Sequence, residues 1–374
     1  MKAQQLPGLN LLRVFASLYM VMYHVHPPFL PVPLQNFFSD GASDTSLFFI
    51  LSGFLLAHLY AGKEMDGSGQ RGFVWRRMAR IFPANLLGLL FVLLAQAAFG
   101  NTFNDWGTLA QCLALVQAWT VGSSYALNVP AWSMSCLFFF YLLFPVVMPV
   151  LRKMTTGYLQ ILLLIVWISS AFVVPLLSRW PGVFGTESWI QYLHNSPLPR
   201  SLEFVLGVGL ALLIARKGML SVWWFRLAVP AVFCAMLTAS GETVRIDNGL
   251  LAPISAVLIL AFANPGPLVE RLGRSKAIEV LASASICVFL LHMTWAQIFT
   301  AWALPHWHTG WNILTLGLYL AVVAGSAVML DCWICQPVSR LVTRRPVRRA
   351  SAGQPRSSSP QPSAVLPLAA GPST

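Results

Sequence analysis

Ten runs of roughly twenty mostly apolar residues succeed one another along this chain, at 9–28, 44–62, 81–99, 132–150, 158–178, 200–215, 222–240, 249–265, 282–303 and 312–335. The hydrocarbon core of a bilayer is about 30 Å thick and an α-helix rises about 1.5 Å per residue, so a run of that length spans it with every backbone hydrogen bond made internally. Composition points the same way. Of the 374 residues 57% are hydrophobic and only 10% charged, which leaves too little polar surface to coat a soluble globule of this size. The expectation is an all-α polytopic membrane protein with about ten transmembrane helices. The stretch 108–119 is apolar but short, and is expected to lie at the interface or re-enter rather than cross.

Basic residues orient the bundle. With the N-terminus in the cytoplasm, 20 of the 24 Lys and Arg residues fall on inner loops and the tail; Arg179, Arg200 and Arg245 fall outside, and Arg13 lies within the first run. This asymmetry is what the positive-inside rule demands of a protein with both ends inside. It also accounts for the net charge of +12 without nucleic acid, because the charge is spread over short loops at a membrane surface. The first run carries Arg13 in its middle, lacks a small-x-small cleavage site and leads to Pro27 and Pro28, so it reads as a retained helix rather than a signal peptide.

Five of the six cysteines, Cys112, Cys136, Cys234, Cys287, Cys332 and Cys335, sit within or close to apolar runs and suit small buried hydrophobes. The single Cys332-x-x-Cys335 pair lacks a second ligand pair, and no metal is expected. Residues 1–340 read as the membrane domain and 341–374 as a basic, then Pro- and Ser-rich, cytoplasmic tail without a packed core.

Ionisable side chains inside spans are costly and therefore mark function by default. Here they are Arg13, His24, His58, Glu203, His292 and Asp331. Arg13 and His24 are eleven residues apart, about three helical turns plus 20°, so they share one face with a rise of about 16 Å between them. A guanidinium at the inner mouth suits a phosphorylated ligand entering from the cytoplasm. An imidazole farther along the same stripe suits a general base acting on a hydroxyl.

At these residues a resemblance becomes specific. LNLLRVFASLYMVMYHV at 9–25 resembles the opening helix of the membrane-bound acyltransferase family often called acyltransferase 3, whose signature is an arginine and a histidine separated by ten residues. FFILSGF at 48–54, the basic VWRRMARIFPA at 74–84, PAWSMSCLFFFYLLFP at 130–145, RSLEFVLGVGLA at 200–211 and SASICVFLLH at 283–292 are similar, in order, to later segments of that family. The resemblance implies transfer of an acyl group, commonly acetyl, from cytoplasmic acyl-coenzyme A to a hydroxyl of a carbohydrate acceptor, one that can be lipid-linked. It implies no permanently bound cofactor. Exopolysaccharide or O-antigen units, met at the outer half of a bacterial inner membrane, are the expected acceptors. The chain resembles the family's single-domain members.

Carried over residue by residue, the resemblance makes His24 the acid/base or an acyl relay, and makes Arg13 a group that binds donor phosphate or polarises the thioester carbonyl. Arg76, Arg77 and Arg80 would hold the phosphates of coenzyme A, with Arg76 and Arg80 expected on one helical face. Ser52 and Gly53 are expected to pack helices closely. Trp132 is either an interfacial anchor or a wall of the acceptor site, Ser133 and Ser135 bond locally, and His292 is a family position or a satisfied core histidine. Two acids of the family pattern are absent: Leu137 stands after the tryptophan-serine motif, and Cys335, Gln336 and Pro337 replace a glutamate-lysine-proline sequence. Glu203 is expected to compensate by orienting His24, the alternative being a pair with Arg200; Asp331 is expected to neutralise Arg13. The competing classes are a transporter or flippase of a lipid-linked sugar, and a catalytically silent relative.

Overall fold

A computed structural model describes residues 6–39, 41–60, 62, 67–101, 103–178, 186–218 and 251–343. Helices lie over nine of the ten apolar runs; the run at 222–240 and the tail from 344 lie outside the described residues. Among the described residues there is no strand. In chain order the helices are α1 (Pro7–Val25), α2 (Val32–Phe37), α3 (Gly41–Tyr60), α4 (Gly67–Ala98), α5 (Trp106–Ala114), α6 (Trp132–Lys153), α7 (Thr156–Ser178), α8 (Glu187–Asn195), α9 (Pro197–Lys217), α10 (Ala252–Ala263), α11 (Pro267–Gly273), α12 (Lys276–Ile298), α13 (Ile313–Leu330) and α14 (Gln336–Thr343).

Among the described residues five stretches are long and apolar enough to cross a membrane by length and composition: Gly69–Ala98, Val129–Lys153, Glu187–Lys217, Lys276–His306 and Ile313–Val342. A sixth follows if α10 and α11, bent by 86°, count as one broken span. α3 and α7 each contain a shorter apolar segment, and α1 has 19 residues with Asn10, Arg13 and His24 among them. The expected interfacial stretch 108–119 is α5, nine residues long, followed by a short 3-10 turn, so it is too short to cross.

The surface is that of a protein dissolved in lipid. On α4 Leu86, Leu90 and Leu94 form an exposed stripe at four-residue spacing; Leu142, Val146 and Val150 do the same on α6. Polar groups point inward instead, with Arg200, Glu203, His292 and Asp331 all buried. The core between α3, α4, α6 and α9 is aromatic: Phe140 stacks on Phe204 at 4.8 Å and meets Phe49 edge-on at 5.1 Å, while Phe73 stacks on Phe144 at 5.2 Å.

Two glycines set the closest contact. A Cβ on Gly207 would sit 1.9 Å from the Ile50 carbonyl oxygen, and one on Gly53 would sit 2.1 Å from that of Phe204, so α3 and α9 pack backbone to backbone. The expectation for Gly53 therefore holds. Helix ends are fixed locally. Asn312 and Thr315 form a capping box that starts α13, and Asp105 accepts from the Thr108 amide to start α5. A π turn at Asp331–Cys335 joins α13 to α14, and another at Phe299–Ala303 extends α12. Such insertions re-aim side chains, and the first turns Asp331 into the protein.

Candidate active site

α1 and α12 run side by side and parallel, and one face of α12 receives the two motif residues of α1. Arg13 donates to the Ser285 hydroxyl at 2.8 Å, and His24 meets His292 ring to ring, Nδ1 to Nε2 at 3.1 Å. Ser285 and His292 are seven residues apart, nearly two full turns, so they too share one face. His292 is fully buried and its backbone carbonyl accepts from Tyr319 at 3.0 Å.

A cavity of about 670 Å³ opens beside these helices. Its lining is divided in two. Arg13, Arg77, Arg80, Arg274 and His58 bring basic groups, and Arg274 and Glu279 lie where it meets solvent. Phe48, Phe49, Leu51, Leu55, Met134, Leu137 and Phe289 make the rest a chiefly apolar chamber, in which Thr45, Ser52, Ser133 and Ser285 supply small hydroxyls. Phe289 lies one helical turn before His292 and its ring is 6.0 Å from the His292 ring, so this wall residue separates the chamber from the histidine pair, which does not itself line it. A ligand with several phosphates at one end and an apolar or amide-bearing arm at the other matches this division.

The three arginines of the basic segment separate. That segment is not a loop: α4 starts at Gly67, so all three lie on helix. Arg77 and Arg80, three residues apart, line the cavity, whereas Arg76 is exposed and folds back over Gly72. The expected pairing of Arg76 with Arg80 on the working face is thereby corrected to Arg77 with Arg80. Arg77 is held over Phe73 and Tyr141, 5.6 and 6.0 Å from their ring centroids.

Both interior carboxylates are occupied. Glu203 accepts from Arg200 at 2.9 and 3.1 Å and from Ser46 at 2.7 Å, so the Arg200 pair, not an interaction with His24, is its role in the structure. The three-residue spacing on α9 makes that pair local, while His24 is held by the Met20 carbonyl and His292. Arg200 also donates to the His194 carbonyl and lies over Trp132 and Phe49. Trp132 is accordingly buried core rather than an interfacial anchor. Ser133 bonds to the Pro130 carbonyl, a local bond as expected, yet it also faces the cavity with Ser52.

Asp331 pairs with Arg80 at 3.4 Å and accepts from Ser283 and Gln336, rather than pairing with Arg13. It lies with Cys287 and Cys335 in a group whose ligand atoms fall within 4.8 Å of one another. Cys335 thus lies against Cys287, at 4.0 Å between sulfurs, and not against Cys332 of its own CxxC. A carboxylate already surrounded by three donors is a neutralised polar network, not a cation cage. Of the cavity arginines, Arg80 and Arg274 have carboxylate partners, whereas Arg13 and Arg77 have none among the described residues.

Motif reasoning did not find Ser285, Ser283 or Arg274. The two serines were legible as positions seven and nine residues before His292 in a mostly apolar stretch; Arg274 carried no signal beyond its place in a basic turn.

A family model described as an acyltransferase domain matches residues 6–331. The chain belongs to the acyltransferase 3 family. It is therefore an acyl-transferring enzyme, and the match covers the arrangement above except Cys332, Cys335 and Gln336. Among curated relatives it is 29% identical to "Acyltransferase MdmB" of Streptomyces mycarofaciens, over 92% of this chain and 95% of that protein. It is 23% identical to "Putative peptidoglycan O-acetyltransferase YrhL" of Bacillus subtilis (strain 168), over 77% of this chain but 48% of that protein, so it spans about half of this second relative. No solved structure matches.

Proposed function

We propose that this protein crosses the inner membrane of a bacterial cell ten times with both ends in the cytoplasm, and moves an acyl group, acetyl in the first instance, from cytoplasmic acyl-coenzyme A to a hydroxyl of a cell-surface carbohydrate. Exopolysaccharide and O-antigen units, lipid-linked or free, are the acceptors of choice. Residues 1–340 form the membrane-embedded enzyme and 341–374 its cytoplasmic tail. The observation that carries the reading is the cavity: arginines at one end, an apolar chamber, and a histidine pair one helical turn past its last wall residue. The relative named for peptidoglycan O-acetylation supports oxygen on a glycan as the acceptor atom.

In this reading Arg77, Arg80 and Arg274 bind the donor's phosphates and Arg13 faces the thioester. His24 takes the acceptor's hydroxyl proton as the oxygen attacks the thioester carbonyl. The C–O bond forms, the C–S bond breaks, and the leaving thiolate takes the proton from His24. Arg13, held by the Ser285 hydroxyl, supplies positive charge along the donor's path.

Thiol release from acetyl-coenzyme A by the purified protein, with a polysaccharide acceptor supplied, tests this directly. The expected result is release that falls at least a hundredfold in His24→Ala at equal protein level. Movement of a lipid-linked sugar across vesicles with no thiol release would overturn it in favour of a transporter.

A further inference from the structure

We propose that His292 is the positioning residue for His24: its Nε2 lone pair accepts the His24 Nδ1 proton, which leaves the His24 Nε2 lone pair free as the base. The proposal rests on His24 being the base, and deepens that reading by assigning the proton on each of four nitrogens.

The assignment follows from the acceptors. His292 Nδ1 lies 2.8 Å from the Phe289 carbonyl oxygen and 3.2 Å from that of Val288. Carbonyl oxygens only accept, so this nitrogen carries a proton. A neutral imidazole has one N–H, which makes His292 Nε2 an acceptor. That nitrogen is 3.1 Å from His24 Nδ1, and His24 Nδ1 is also 3.0 Å from the Met20 carbonyl oxygen. Facing one lone pair and one carbonyl, His24 Nδ1 must carry a proton. The reverse arrangement would need a charged His292 in a fully buried site and would aim a His24 lone pair at a carbonyl.

Each link in the chain is anchored. The Phe289 and Val288 carbonyls belong to the helix that carries His292, the Met20 carbonyl to the helix that carries His24, and Tyr319 ties the His292 backbone to α13. The rings are therefore held by two rigid helices rather than by loops. When His24 Nε2 takes the hydroxyl proton, Nδ1–H stays on His24 and its bond to His292 Nε2 strengthens, because the donor is then a cation. Returning the Nε2 proton to the thiolate restores both neutral rings, so no proton is lost or gained over the cycle. In serine hydrolases a carboxylate holds the imidazole in this way. Here both interior carboxylates are bound elsewhere and a second histidine takes that place.

Nitrogen-15 NMR of histidine-labelled protein in bilayers reads the tautomers without any substrate, with His24→Ala and His292→Gln used to assign the two rings. The expected result is Nδ1–H on both. A proton on His24 Nε2 would overturn the proposal. In kinetics, His292→Ala is expected to lower kcat about 10- to 100-fold while KM for acetyl-coenzyme A stays within twofold. His292→Gln, whose side-chain carbonyl can stand where Nε2 stands, is expected to recover at least tenfold of that loss. Wild-type kcat in His292→Ala, or no recovery in His292→Gln at equal melting temperature, would also overturn it. Full turnover in His24→Ala would instead defeat the acyltransfer reading of His24, so the two failures are told apart.

Discussion

The Arg200–Glu203 pair decides between a structural and a catalytic carboxylate, and its energetics can be worked from the structure. Both side chains are almost wholly out of solvent, at 3% and 1% exposure, and one guanidinium nitrogen spans both carboxylate oxygens. Glu203→Gln keeps the shape but leaves a buried guanidinium with only neutral acceptors. Removing one partner of such a pair costs about 3–5 kcal/mol, a large part of a typical total stability of about 5–15 kcal/mol. With an unfolding entropy of about 2.1 cal/mol/K per residue over the roughly 340 residues of the helical unit, that loss lowers the melting temperature by about 4–7 °C. The double variant Arg200→Met/Glu203→Leu removes both charges and fills the space with apolar atoms, a change that is often neutral or stabilising. It is expected to melt within about 2 °C of the wild type by the same conversion. The assay is thermal unfolding of detergent-purified protein followed by tryptophan fluorescence, with turnover per folded molecule measured well below both melting points. Turnover of Glu203→Gln is expected to stay within about twofold, since the carboxylate does not hold the reacting imidazole. If Glu203→Gln melts like the wild type and its turnover collapses, the carboxylate acts on the reaction and the reasoning here is wrong. A double variant as unstable as the worse single one would refute the pair as the energetic unit.

Three further outcomes are expected. Gly207→Ala forces a Cβ into the Ile50 backbone and should cost at least the 1–3 kcal/mol typical of overpacking, seen as lost yield and a lower melting temperature; Gly325→Ala on α13, with open space around it, should be neutral or stabilising by about 0.5–1 kcal/mol. Arg77→Gln should raise KM for acetyl-coenzyme A about tenfold or more, as expected for loss of a charged hydrogen bond worth about 1.5–3 kcal/mol, whereas Arg76→Gln, outside the cavity, should leave it unchanged in the same thiol-release assay. Arg13→Gln should leave the melting temperature unchanged or raised, because it removes a largely desolvated cation that lacks a carboxylate partner among the described residues, while kcat/KM falls about a hundredfold.

The all-helical architecture could be read from apolar run length, because in lipid each span must satisfy its own backbone and so announces itself as a long apolar run. Eleven-residue spacing placed Arg13 and His24 on one stripe, and the structure brings both against α12. What could not be read was pairing between distant segments. Nothing local in RSLEFVLGVGLA distinguishes a Glu203 that reaches His24 from one that folds back on Arg200; the choice depends on how closely α3 approaches α9, which Gly53 and Gly207 decide. The angular position of α4 was equally hidden. Helical spacing alone groups Arg76 with Arg80 as readily as Arg77 with Arg80, and only the packing of Phe73 and Ile81 into the core turns Arg77 toward the cavity. For His292 the type and place were legible, but the partner was not, because that contact joins residues 268 positions apart.

The placement of charge explains why a histidine rather than an acid stands behind His24. A carboxylate at that depth would carry its charge throughout the cycle, in surroundings where an unpaired ion is costly. It would also attract Arg13, which like Arg77 has no acidic partner among the described residues, and a neutralised Arg13 would have less to offer an anionic donor. Among the described residues the two interior acids, Asp331 and Glu203, are instead tied to Arg80 and Arg200, where they settle helix packing, and the cavity wall carries the apolar Leu137. A neutral imidazole partner orients His24 while leaving the positive potential of the cavity intact. It meets a full charge only during the step in which His24 holds the acceptor's proton. Among the described residues, the only carboxylate in the cavity wall is then Glu279 at its solvent edge, and the orienting function that a carboxylate would serve for His24 passes to a group that is neutral at rest.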